Sequence, residues 1–183
     1  MHSAIRNFCF GYLSRGCLIL ACLAVLMSCR RTGERTRIFE RLDPSDTRIS
    51  FSNDLTESDS LNILDYLYFY NGAGVAAADF NNDGLEDLYF VSNQASNRLY
   101  LNKGGLRFED ITEKAGVQGT GNWETGVTVV DINNDGFKDI YVSAVSGYKT
   151  FKGKNQLYIN NGDLTFTESA ARYGIDFAGL STQ

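Results

Sequence analysis

Residues Asp79 to Phe90 read DFNNDGLEDLYF, and Asp131 to Val142 read DINNDGFKDIYV, the same acidic, glycine-centred string written again 52 residues further on. Asp79, Asn81, Asp83 and Asp87 hold positions 1, 3, 5 and 9 of the first copy, with Gly84 at position 6. Asp131, Asn133, Asp135 and Asp139 hold the same positions in the second, with Gly136. Alternate side chains in a tight loop face a common centre, and glycine allows the reversal that turns a backbone carbonyl inward. That carbonyl belongs to Leu85 in one copy and Phe137 in the other, at position 7. All these donors are oxygens, so the set predicts a hard cation, and the flexible loop favours calcium over magnesium. Calcium takes about six to eight oxygens, leaving the remainder to water or neighbouring groups. A bare Asn-Asp-Gly turn needs only one Asp-Gly pair, whereas three converging carboxylates repel one another without a cation.

An EF-hand ends its loop on a bidentate glutamate at position 12, where this chain has Phe90 and Val142. That motif is excluded. Both flanks of each loop alternate as short strands, so the loop belongs in a β-hairpin.

Outward from the loops the repeat continues. GVAAADFNNDGLEDLYF (Gly74 to Phe90) aligns with GVTVVDINNDGFKDIYV (Gly126 to Val142) at an offset of 52, and NRLYLNKGGLRF (Asn97 to Phe108) aligns with NQLYINNGDLTF (Asn155 to Phe166) at an offset of 58. The six-residue difference falls between the two blocks, where the second copy carries the polar VSGYKTFKGKN, and an insertion there predicts a surface loop. Each unit reads as four strands: Val75 to Phe80, Leu88 to Ser92, Arg98 to Asn102 and Leu106 to Ile111 in the first. Thr112 to Ala115 and Ser169 to Tyr173 each carry enough helix signal for one turn. Four strands in a period of roughly fifty residues is the signature of a propeller blade. The expected fold is therefore all-β, an incomplete β-propeller ring of about two four-stranded antiparallel blades.

The expected organisation runs from a leading strand at Ile49 to Leu55 through repeat one at about 66–117 and repeat two at about 123–175. A third begins at 176–183. Propellers need about four to eight blades, so the repeat region 49–183 reads as the leading part of a longer array, or as a fragment without independent function.

The N-terminus carries a different signal. Arg6 and Arg15 precede the apolar run CLILACLAVLM, from Cys17 to Met27, and no acidic residue comes before Glu34. This is a secretory signal peptide in pattern, too short for a spanning helix. Leu26-Met27-Ser28-Cys29 resembles the lipobox of bacterial lipoproteins, which implies a signal peptide at 1–28 and lipidation of Cys29. Several acyl chains at Cys29 would anchor the protein stably, which one chain would not. Residues 29–48 then read as a polar tether.

All four cysteines lie at or before Cys29, so no disulfide framework is available to the mature chain. The single histidine is His2, inside the signal. Most zinc sites and any Ser-His or Cys-His catalytic pair are excluded, and oxygen chemistry remains. From Ile49 onward nine Lys and Arg face eighteen Asp and Glu, an acidic body that argues against nucleic acid as a partner.

The strings FNNDGLEDLYF and INNDGFKDIYV, with YLYFYNGAGVAAADFNNDG and SNRLYLNKGGLRFEDITEKAGV, resemble the FG-GAP/VCBS repeats of integrin-α-type propellers and in particular the multi-repeat lipoproteins of Gram-negative bacteria. The resemblance covers roughly Ile49 to Gln183 and implies that the DxDxDGxxD loop holds calcium in a blade hairpin. Asn81 and Asn133 depart from it as neutral ligands at position 3. It also implies an outer-membrane lipoprotein of the cell envelope, held to the membrane through its lipid alone, with a protein or glycan as ligand. Arg30 and Arg31 stand where surface-displayed lipoproteins carry acidic residues, so the face of the membrane stays open.

Other residues have two readings each. LDYLYFYN reads as a strand that puts Tyr66, Tyr68 and Tyr70 on one face, for cross-strand packing or for stacking on a glycan. Trp123 reads as a surface contact or as a plug between blades. Lys149, Lys152 and Lys154 read as a solvated loop face. A binding module, contacting its ligand through loops such as Ala144 to Lys154, is the expected function. The alternative is a propeller-based polysaccharide lyase or hydrolase working through paired carboxylates, but no pair is left over once the loops are assigned.

Overall fold

A computed structural model describes residues 38–120 and 122–181. The signal peptide, the lipidation site Cys29 and the first part of the tether lie outside the described residues. Among the described residues no helix is long and apolar enough to cross a membrane.

Strand β1 (Val75–Ala78) is followed by β2 (Asp87–Phe90), β3 (Arg98–Asn102) and β4 (Phe108–Asp110), paired in that order as one antiparallel sheet. Strands β5 (Glu124–Val130), β6 (Asp139–Ala144), β7 (Gln156–Asn160) and β8 (Phe166–Glu168) repeat it as a second. These are two propeller blades, as expected. One-turn helices close each unit, α2 at Thr112–Ala115 and α3 at Ala170–Tyr173, and α1 at Pro44–Thr47 precede them. Proline at the first turn of α1 and the Asp43 side chain accepting the Ser45 N–H at 2.8 Å start that helix.

Register follows from the pleat. In β2 Asp87 and Tyr89 face inward and are buried, as is Val91 just beyond the strand, while Leu88 and Phe90 face the other side. The inward row of the first blade, with Ala78, Phe80, Leu101, Ile111, Ala115 and Val117, packs on Ile140, Val142, Tyr158 and Phe166 of the second. The core therefore lies between the blades. Burial of a side chain such as Phe80 contributes about 1.5–3 kcal/mol. The inner strands approach closely at Gly74, where a Cβ would lie 2.8 Å from the Val127 nitrogen. In the second blade the equivalents of Ala78 and Phe80, Val130 and Ile132, are each 38% exposed.

Three expectations are corrected. Ile49 to Leu55 forms no strand. It lies against the first blade through side chains instead: Phe51 stacks on Phe90 with ring centroids 4.9 Å apart, the Ser50 N–H donates to the Tyr100 hydroxyl, and Asn53 bonds Asn93 at 2.7 Å. The strands it lies against, β2 and β3, are each paired on both sides, so no ladder forms there.

LDYLYFYN is not a strand either. Consecutive turns, with Tyr66 N–H on Asn62 O and Phe69 N–H on Tyr66 O, put residues three apart on one face. Tyr66 and Phe69 are buried, while Tyr68 and Tyr70 are 60% and 59% exposed. The tyrosines therefore divide between core and surface.

The inserted loop is only partly a solvated face. Val145 and Phe151 are buried with Tyr66, Phe69 and Trp123 in a second apolar cluster. Trp123 stacks on Phe151 at 4.8 Å and meets Tyr66 edge-on at 5.6 Å, which makes it a plug rather than a surface contact. Lys149 pairs with Asp65, and Lys154 with Asp176 at 3.1 Å. Near the chain's end Gly179 and Leu180 bridge to Val145.

Candidate metal centre

Each acidic loop is the connection of a hairpin whose last pair is Ala78↔Asp87 in one blade and Val130↔Asp139 in the other. Asn82 and Asn134 at position 4 take φ of 58°, and Gly84 and Gly136 follow at 85° and 91°. Nothing lies within 4 Å of where a Cβ on either glycine would be. Backbone conformation therefore requires glycine there, not space.

The side chains wrap this backbone identically in the two copies. Asp79 accepts the N–H of Asp83 at 3.1 Å and of Gly84 at 2.7 Å; Asp131 accepts those of Asp135 and Gly136 at 3.1 and 3.0 Å. Asp83 accepts the Leu85 N–H and Asp135 the Phe137 N–H, both at 2.8 Å. The amide oxygens of Asn81 and Asn133 accept the N–H of Asp83 and Asp135, while their nitrogens donate to the second oxygen of the same aspartates. Positions 1, 3 and 5 are thus gathered at the water-facing end of each hairpin.

Position 9 is different. Asp87 and Asp139 are fully buried, and each uses both oxygens on backbone donors. Asp87 accepts Phe80 N–H at 3.0 Å and Asn102 N–H at 2.8 Å; Asp139 accepts Ile132 and Asn160 at 2.9 and 2.8 Å. Burial pushes the Asp87 carboxyl above its ordinary range, the two N–H groups pull it down, and the charges of Asp83 and Asp79 add to the rise. Among the described residues no three acidic, histidine or cysteine side chains converge as a ready cage for a metal.

The donor chemistry nevertheless fits a hard cation. Asp79 and Asp83, like Asp131 and Asp135, use each carboxylate oxygen once, and such an oxygen offers about two lone-pair sites. Two carboxylates, an amide oxygen and the Leu85 or Phe137 carbonyl make an all-oxygen set, open to water.

Two features escaped the sequence. Asn97 accepts the Ser92 N–H at 2.9 Å and donates to the Tyr89 hydroxyl, which donates to Val117 O. Asn155 repeats this with Ala144, Tyr141 and Ile175. Both asparagines stood in the repeat alignment, but nothing there linked them to the tyrosines. Glu124 is the other. It is fully buried, with Oε1 accepting from Thr120 N at 2.7 Å, while Oε2 has no hydrogen-bond partner among the described residues.

A family model described as an FG-GAP-like repeat matches residues 79–142. Integrin alpha-3 of Cricetulus griseus is 32% identical over 130 residues, covering 62% of this chain and 12% of the relative. Integrin alpha-3 of Mus musculus is 32% identical over 102 residues, covering 49% and 9%. Integrin alpha-8 of Gallus gallus is 30% identical over 103 residues, covering 49% and 10%. The chain spans about a tenth of the length of these curated relatives.

Proposed function

We propose that this chain, whose blades are built from FG-GAP-like repeats similar to integrin alpha sequences, is a calcium-stabilised binding module. The identical wrapping of both acidic loops, with Asp79 and Asp131 each taking two loop N–H groups, is the observation that carries the metal half. Asp79, Asn81, Asp83 and the Leu85 carbonyl would hold one ion, and Asp131, Asn133, Asp135 and the Phe137 carbonyl a second. Asp87 and Asp139 support the loops from below, each carboxylate oxygen accepting one backbone N–H. A bound calcium ion would supply the positive charge that relieves repulsion between the paired carboxylates. Calcium sites of extracellular modules bind at about 10⁻⁴ to 10⁻³ M.

Asp87 and Asp139 are committed to backbone N–H groups, which favours binding over acid–base chemistry. The surface best suited to a protein or glycan ligand is the Leu64 to Tyr70 excursion. Leu64, Leu67, Tyr68 and Tyr70 are exposed there, beside a cavity of about 590 Å³ lined by Tyr66, Tyr68, Asn71, Trp123, Thr125 and Leu180. Export and anchoring through Cys29 to the outer membrane complete the reading, on the strength of the lipobox-like string. Thermal unfolding with and without a calcium chelator tests the metal half: a lowered midpoint in chelator supports it, and an unchanged one removes it. Incorporation of labelled palmitate, lost in Cys29→Ala, tests the anchor.

A further inference from the structure

The two acidic loops touch. Asn82, at position 4 of the first, donates its side-chain amide to the carbonyl of Gly136, position 6 of the second, at 3.2 Å. Beneath them Asn160 is 1% exposed, with its backbone N–H and both side-chain polar atoms engaged. Its side-chain nitrogen donates to Phe80 O in the first loop at 2.8 Å and to Lys138 O in the second at 3.2 Å. Its backbone N–H donates to Asp139, and its amide oxygen accepts the Gly162 N–H at 2.9 Å. Phe80 in turn donates its N–H to Asp87. An unbroken hydrogen-bonded path therefore runs from Asp87 through Phe80 and Asn160 to Asp139, with Asn82–Gly136 as a second link above it.

The repeat shows that this wiring is more than blade architecture. Asn102 is the counterpart of Asn160 and binds its own loop in the same way, donating to Glu86 O and to Asp87. The bond to a neighbouring loop is what Asn160 adds. Buried networks with every member satisfied behave as units, and loosening one member is felt by the others.

We propose that Asn160 and Asn82 couple the two acidic loops, so that order imposed on one is passed to the other. Where the loops hold calcium, occupancy of one raises the affinity of the other; that extension rests on the calcium reading above, while the coupling of loop order does not. By linkage the effect is reciprocal.

Amide hydrogen exchange, followed residue by residue in chelator, tests it without any metal. Asp79→Ala removes the acceptor of two N–H groups at the water-facing end of loop one. Exchange at Gly136 in loop two is expected to speed up roughly threefold or more, while Lys103, bonded to Arg107 O in another turn of the first blade, stays unchanged. In an Asn82→Ala, Asn160→Ala background the same substitution should leave Gly136 unaffected. If the background with buried Asn160 replaced does not fold, Asn82→Ala alone should reduce the response. An unaltered Gly136 in Asp79→Ala overturns the proposal, and so does a response that persists at full size without the two amides. Calcium titration of the same samples separates the two readings: if neither Gly84 nor Gly136 responds to the ion, the calcium reading falls while the exchange data still decide the coupling.

Discussion

Asp87 accepts the backbone N–H of Asn102 at 2.8 Å, joining the ninth position of the acidic loop, where β2 begins, to the end of the neighbouring strand β3. Asp139 and Asn160 repeat the contact at the same distance. The loop is thus divided by depth. Its buried aspartate fastens hairpin to third strand, and its exposed residues gather oxygens toward water. The two ends should respond differently to substitution.

Asp87→Ala or Asp139→Ala leaves two N–H acceptors missing in each case, at least one of the donors buried. At about 1–3 kcal/mol per stranded group, either change should cost roughly 2–5 kcal/mol in urea unfolding. Asp83→Ala and Asp135→Ala, on exposed loop ends, should cost under about 1 kcal/mol in chelator. Equal losses at both depths would contradict the division.

Phe69 and Tyr68 are adjacent but opposite in placement. Phe69 is fully buried against Trp123, with ring centroids 5.2 Å apart, and Phe69→Ala should cost about 3–5 kcal/mol. Tyr68→Ala should change stability by less than about 0.5 kcal/mol while weakening any ligand that docks over the cavity beside it. Since Trp123 is the chain's one tryptophan, its emission reports loosening of this cluster directly. A stability loss at Tyr68 matching that at Phe69 would contradict the turn geometry.

Glu124 predicts a pH dependence. Burial, the largest influence, raises its carboxyl above the ordinary 4.5, against lowering by the Thr120 donors and the Gln156 amide. The folded protein therefore holds this proton to higher pH than the unfolded chain does. Its stabilising effect is fully present below the unfolded pKa and is lost as pH rises through the folded one. Glu124→Gln should flatten the fall in stability over the window opening near 4.5 and leave neutral-pH stability equal or greater. A slope unchanged in Glu124→Gln would assign the dependence elsewhere.

The blades were legible because hairpin chemistry is local. Asp79 to Asp87 contain the turn, its glycine and the flanking alternation within a few residues, and the copy at Asp131 supplies the period. The turns of the Tyr66 to Tyr70 excursion are not legible, because YLYFY satisfies strand composition equally well. Its turns depend on Asn62, whose side chain accepts the Leu64 N–H at 2.9 Å, and on burial against Trp123 and Phe151 from distant sequence. Ile49 to Leu55 carries strand composition without forming one for a related reason, since a strand needs a partner edge that sequence does not reveal. Glu124 aligns with Gly72 in the first copy, so no repeat signal marked it. Within the candidate site the loop residues could be read in full, and the Asn160 link between loops could not. It depends on how two blades pack.

Calcium titration followed through the backbone amide signals of Gly84 and Gly136 tests the central claim most directly, because each N–H lies on the first aspartate of its loop, at 2.7 and 3.0 Å. The account predicts that both signals move, saturating at about 10⁻⁴ to 10⁻³ M calcium, that Asp79→Ala abolishes the shift at Gly84 and Asp131→Ala that at Gly136, and that at ten times the dissociation constant each filled site adds about 1.4 kcal/mol to stability. Stationary glycine signals throughout the titration, with unfolding indifferent to the ion, would contradict it.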